Sequence, residues 1–117
     1  MGAESSDGRA VYVYTVGDDI HPEIKAVGLV ELTAEDEIAA TRRARGDQIR
    51  LAFELAKQSL AEVDGKRVSL GDGTADRAWN RLGARLRNLV LQAFTEIHTP
   101  DEKATDTFRA SRKVEVR

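Results

Sequence analysis

Arg77–Ile97 reads RAWNRLGARLRNLVLQAFTEI and runs directly into His98-Thr99-Pro100, a helix stop. Trp79, Leu82, Leu86, Leu89, Val90, Ala93, Phe94 and Ile97 recur at three- and four-residue steps, which puts them on one face of a helix. Arg77, Arg81, Arg85, Arg87 and Glu96 fall largely on the other faces. The apolar edge leaves no room for chemistry along it. It is a packing surface, for the domain's own core or for a partner. Gly83 interrupts the run at a cost of about 1 kcal/mol relative to Ala, so a break between Trp79 and Ala84 stays open. Trp79, the lone tryptophan, is an anchor either for the core or for an interface, where Trp and Arg are enriched at hot spots.

Upstream, Ala10–Val16 (AVYVYTV) is rich in β-branched and aromatic residues in near alternation and predicts a strand. Gly17-Asp18-Asp19 is turn chemistry, and Ile24–Leu32 predicts a second strand, so an antiparallel hairpin is expected. Gly28 inside that second strand marks a bulge or a close backbone approach. Thr33-Ala34-Glu35-Asp36 is an N-cap with an acid three residues on. Glu35, Asp36 and Glu37 suit the positive end of the helix dipole, and Arg42, Arg43 and Arg45 suit its negative end. Gly46-Asp47 either stops this helix and caps the next or kinks a longer one. From Ile49 to Val63, the positions Ile49, Phe53, Ala56, Leu60 and Val63 form an apolar stripe that Leu51 and Leu55 broaden. Asp64-Gly65 is a turn signal, and Lys66–Leu70 is long enough only for an edge strand or an extended loop. Thr74 or Asp72 can cap the long helix that starts near Ala75.

Downstream, Thr99-Pro100-Asp101-Glu102 reads as a Thr cap, a Pro at the first helical position and an acid beyond it. A short helix is expected to about Ser111, with Ala104 and Phe108 inward. Val114 and Val116 alternate with Lys113, Glu115 and Arg117, which predicts a terminal strand beside the hairpin. The fold class is therefore α+β: a helix-rich small domain with an N-terminal β-hairpin and a short C-terminal strand. Residues 1–8 (MGAESSDG) are expected to form a flexible tail, and residues 9–117 a single domain.

Composition narrows the function classes. Hydrophobic residues at 41% exclude wholesale disorder, and aromatics at 5% leave the core to Leu, Val, Ile and Ala. A net charge of −2 gives no general attraction to nucleic acid or anionic lipid. With no cysteine, disulfides, zinc ribbons and thiol nucleophiles are out. No basic segment leads into an apolar run, and no apolar stretch approaches the roughly 20 residues that span a bilayer. A cytoplasmic protein with no membrane partner is expected.

The polar residues form no recognisable catalytic set. His21 and His98 lack neighbours at metal-ligand spacing. His21 before Pro22 reads as a turn residue, and His98 closes a helix, where positive charge favours the dipole. Gly71-Asp72-Gly73 precedes a helix but lacks the Gly-Lys-Ser/Thr ending of a phosphate loop. Glu35, Asp36 and Glu37 point about 100° apart on a helix and cannot face one substrate. Arg77, Arg81 and Arg85 make a basic ridge, and Arg42, Arg43, Arg45 and Arg50 a second cluster, without stacking aromatics for nucleic acid. The expectation is a non-enzymatic protein with no cofactor, no metal and no nucleic-acid partner.

Three stretches carry a resemblance. They are Glu31-Leu32-Thr33 before an acidic first helical turn; Leu86–Phe94 (LRNLVLQAF) ending in Glu96-Ile97-His98-Thr99-Pro100; and the closing Phe108–Val116 (FRASRKVEV). Together they resemble the small tail assembly chaperones of long-tailed bacteriophages and related phage-tail-like particles, over about three-quarters of the chain. That resemblance implies a protein of the bacterial host cytoplasm that binds the tape-measure protein, keeps its long helices soluble and recruits tail-tube subunits. It also implies self-association into a homo-oligomer. The candidate protein-binding residues are Trp79, Leu82, Arg85, Leu86, Leu89, Phe94, Phe53 and Leu55. The alternatives are a minor tail or baseplate subunit retained in the particle, and a small DNA-binding regulator using the arginine ridge.

Overall fold

The structure, a computed structural model, describes residues 8–111. The sheet begins with β1 (Tyr12–Thr15) and β2 (Ala26–Leu29), which pair antiparallel with Tyr12 opposite Leu29 and Tyr14 opposite Val27. β2 gives its other edge to β3 (Leu60–Val63), and β3 pairs with the two-residue β4 (Lys66–Arg67) across the Asp64-Gly65 turn, so the order is β1-β2-β3-β4. Between β2 and β3 the chain inserts a helical hairpin, α1 (Ala34–Ala44) and α2 (Gln48–Ser59). After β4 come α3 (Thr74–Arg81), α4 (Gly83–His98) and α5 (Glu102–Ala110). The architecture is α+β, as the sequence predicts, with a larger sheet than the expected hairpin.

The extra strand comes from the end of the Ile49–Val63 stripe. α2 stops at Ser59, and Leu60–Val63 continues as strand rather than helix. Leu60 and Val63 are three apart, a spacing that fits a helix face, yet both are buried where β3 pairs with β2. Tertiary pairing overrides local period here. Ser59, fully buried, secures the corner: its hydroxyl donates to Val30 O, and its carbonyl accepts from Val30 N at 2.9 Å.

Alternation along β2 sends Val27 and Leu29 into the core and Gly28 to the opposite face, where it lies between Val13 and Glu62. A bulge in the β2–β3 ladder falls between Gly28 and Leu29. A Cβ on Gly28 would overlap the Glu62 side chain and stand 2.7 Å from Val11 Cγ1. Both readings of this glycine, bulge and close approach, hold at once.

Turn chemistry places the helices. Thr33 and Asp36 form a reciprocal capping box on α1. Arg45 and Gly46 then take positive φ, 52° and 82°, and Asp47 caps α2 through Ile49 N and Arg50 N. Gly46-Asp47 thus ends one helix and starts the next. The Trp79–Ala84 break is real: α3 ends at Arg81, Leu82 lies between the helices, and Gly83, with φ of 75°, opens α4. α3 is preceded by Gly73 in the left-handed region, with Asp72 accepting from Thr74 N at 2.9 Å, so neither Thr74 nor Asp72 is itself the cap residue. α5 is capped by Asp101 through Ala104 N, not by Thr99, and Pro100 lies before the helix. Phe108 is 79% exposed, and Ala104 is exposed too, so the inward face expected for α5 is absent. The terminal strand expected at Val114 and Val116 lies outside the described residues, as does most of the expected tail.

One core joins the layers. Val16, Ile24, Val27 and Leu29 meet Ala56, Leu60 and Val63, and Ala78, Trp79, Leu82, Leu86, Val90 and Ala93 close over them. Burying each of the larger aliphatic side chains contributes about 1.5–3 kcal/mol. Among the described residues, no helix is long and apolar enough to cross a membrane.

Gly28→Ala tests the strand geometry. The added methyl forces Glu62 or Val11 to shift, and denaturant unfolding should show a loss of about 1–3 kcal/mol. An unchanged midpoint would mean the two strands have room that this packing denies.

Candidate protein-binding surface

The α4 face divides along its length. Leu86, Val90 and Ala93, with Leu82 just before the helix, are buried in the core, whereas Leu89, one step aside, keeps 41% of its surface exposed. Leu89 sits on the wall of a groove of about 250 Å³ between α4 and the β1 side of the sheet. Tyr14, Val16 and Ile20 form the facing wall, Val27, Leu86 and Val90 contribute beneath, and Gln92 and Glu96 give a polar rim. Burial pushes the Tyr14 phenol pKa up, and the nearby Glu96 carboxylate adds to it. Tyr14 therefore presents a neutral hydroxyl on an otherwise apolar wall.

The candidates read from sequence separate accordingly. Trp79, Leu82 and Leu86 are core residues and offer no free surface. Phe53 is half-buried and meets Trp79 edge to face, with centroids 6.2 Å apart. Phe94 is half-buried against the core and stacks at 4.2 Å on His98, and Leu55 is half-buried on α2. Arg85 is exposed, while Ile49, the first residue of the α2 stripe, is 75% exposed. Of these only Leu86 and Leu89 line the groove, and Leu89 alone combines it with exposure. Sequence reasoning missed Tyr14 and Ile20. The signal for Tyr14 was available, because period-two alternation in AVYVYTV puts Tyr12 and Tyr14 on one face.

Both histidines fasten loops to helices. His21 Nδ1 accepts from Glu23 N and Ile24 N, each at 3.0 Å, which leaves Nε2 to donate to Arg81 O at 3.0 Å. His98 Nε2 accepts from Leu32 N at 2.9 Å, so its proton sits on Nδ1 and goes to Phe94 O at 2.8 Å. His98 thus joins the end of α4 to Leu32 by hydrogen bonding. Among the described residues, no group of three or more His, Cys, Asp or Glu side chains could hold a metal ion.

A polar chain runs along the helical hairpin. Lys57 bridges Asp76 (2.7 Å) and the buried Glu54 (3.1 Å). Arg43 pairs with Glu54 at 2.8 Å and donates to Gln58, which donates to Asp36, itself paired with Arg9 at 2.8 Å. Burial pushes the Glu54 carboxyl up, but hydrogen bonds and charge from Arg43 and Lys57 outweigh it and hold the group below its ordinary range. Asp36 behaves alike: burial raises it, and Thr33 N with Arg9 brings it below the usual value.

No protein-family model, curated protein or solved structure matches the chain.

Two measurements check the site. Leu86→Asp buries a carboxylate in the core and should unfold the domain, whereas Leu89→Asp should shift stability by no more than about 1 kcal/mol; circular dichroism melting separates them. For the polar chain, a depressed folded-state pKa means the unfolded state binds more protons, so its stabilisation is full above about pH 4.3 and is lost as pH falls through the folded values. Denaturant midpoints taken between about pH 5 and pH 3 should fall, and Glu54→Gln should flatten the slope. An unaltered slope in that variant would remove Glu54 from the acid response.

Proposed function

We propose that the chain is a tail assembly chaperone of a long-tailed phage or a related tail-like particle, holding an apolar helical segment of the tape-measure protein in the β1–α4 groove. One observation carries the reading. The stretch Leu86–Phe94, on which the resemblance to these chaperones rests, supplies one wall of the groove and its most accessible leucine. Apolar clefts bounded by a few polar groups are the ordinary form of binding sites, and an exposed leucine beside one gains from being covered. In this reading a client helix lays its apolar side chains against Leu89, Tyr14 and Ile20, and Gln92 and Glu96 meet its polar flank. Tail-tube subunits are recruited to the same complex. No bond is made or broken, and no cofactor takes part.

Co-expression with a tape-measure protein, followed by affinity capture, tests this directly. A soluble complex is expected, and folded Leu89→Asp should weaken it at least tenfold. Retention of the full complex by folded Leu89→Asp would contradict the groove as the binding site. Mass spectrometry of finished particles should find the chain absent; abundance there would favour the retained tail or baseplate subunit.

A further inference from the structure

Opposite in character to the apolar groove is a shallow concavity of about 390 Å³ where α1 turns into α2. Arg42, Arg45 and Arg50 stand on its rim, and all three are exposed. Among the described residues, none of their guanidinium groups takes part in an ion pair or a side-chain hydrogen bond. The floor is different. There Arg43 and Lys57 already neutralise Glu54, and Lys57 also holds Asp76. Five cations therefore face two carboxylates, both of them engaged, and the uncompensated positive charge lies on the rim. Asp47, between the two helices, is not among the lining residues; its carboxylate accepts from Ile49 N and Arg50 N to cap α2.

Backbone geometry adds an independent point. Arg45 occupies the left-handed region at φ 52° and ψ 41°, a conformation that Gly or Asn adopts far more readily. Gly46, immediately after it, is also left-handed. The left-handed cap ends α1 and leaves the Arg45 side chain exposed at the mouth of the hollow.

We propose that this hollow docks a short acidic segment of a protein partner, two or three of whose carboxylates pair with Arg42, Arg45 and Arg50. Guanidinium groups bind carboxylates through paired, charge-assisted hydrogen bonds, which suits a recognition site better than a general field. A protein segment fits better than a nucleic acid. The patch spans one helical turnaround, the chain as a whole carries −2, and none of the residues lining the hollow is aromatic and able to stack a base. The site is separate from the β1–α4 groove and does not rest on the chaperone reading.

The test uses the full chain, labelled with ¹⁵N, titrated with a synthetic peptide of alternating Glu and Ala, with the Gln-for-Glu peptide and with a short DNA duplex. The acidic peptide should shift the amide signals of Arg42–Arg50, and raising salt from about 50 to about 300 mM should weaken it severalfold. Replacing Arg42, Arg45 and Arg50 together by Gln should cost at least tenfold in affinity with the fold intact by circular dichroism. Arg45→Gly should weaken binding without lowering the melting temperature, an outcome that a purely structural arginine would not give. The proposal is overturned if the acidic peptide leaves these signals unmoved, if the Gln peptide binds as well, or if the duplex binds there more tightly than the peptide.

Discussion

Everything in this domain depends on the packing of the α4 apolar stripe over the inner face of the sheet. Leu82, Leu86, Val90 and Ala93 recur at one helical face and meet Val27, Leu29, Leu60 and Val63, which strand pairing brings side by side. Each layer gains from the other: a small sheet needs its apolar face covered, and a short helix draws most of its stability from a buried face. Ala78 and Trp79 extend the same surface beyond the Gly83 break, so α3 and α4 act on the core as one bent lever.

Polar contacts then fix how the layers sit on each other. His21 ties the loop after β1 to the end of α3, and His98 ties the end of α4 to Leu32 just before α1. Along the helical hairpin, the chain from Asp76 through Lys57, Glu54, Arg43 and Gln58 to Asp36 links three helices. A buried, fully paired carboxylate such as Glu54 adds little net stability against an apolar substitute, but it penalises any arrangement that separates it from its cations. The apolar packing holds the domain together, and the polar chain ties α1, α2 and α3 to one another beside it.

Much of this was legible in the residues. The capping box at Thr33, the hairpin of β1 and β2, the crowding at Gly28 and the break at Gly83 each follow from a local rule that no tertiary contact opposes. The failures share a cause. Leu60 and Val63 satisfy both a helix and a strand, and only pairing with β2 decides between them. Phe108 fits an inward helix position, but α5 has no buried residue and no surface beneath it within the described chain. The candidate site was half visible. Leu89 belongs to the recognised stripe, whereas Trp79, Leu82 and Leu86 could not be assigned to core or surface until the sheet facing them was known. Tyr14 and Ile20 were invisible as site residues because the groove exists only where two distant segments meet.

The chaperone reading treats the molecule as a rigid body with its stripe mostly sealed and one leucine left beside an open groove. Hydrogen–deuterium exchange of the chain, with and without a tape-measure protein, tests that picture most directly. Protection on binding should appear in the segments around Tyr14–Ile20 and Leu86–Glu96 and leave α5 unchanged. Protection confined to other segments, or opening of the α4 core on binding, would contradict it.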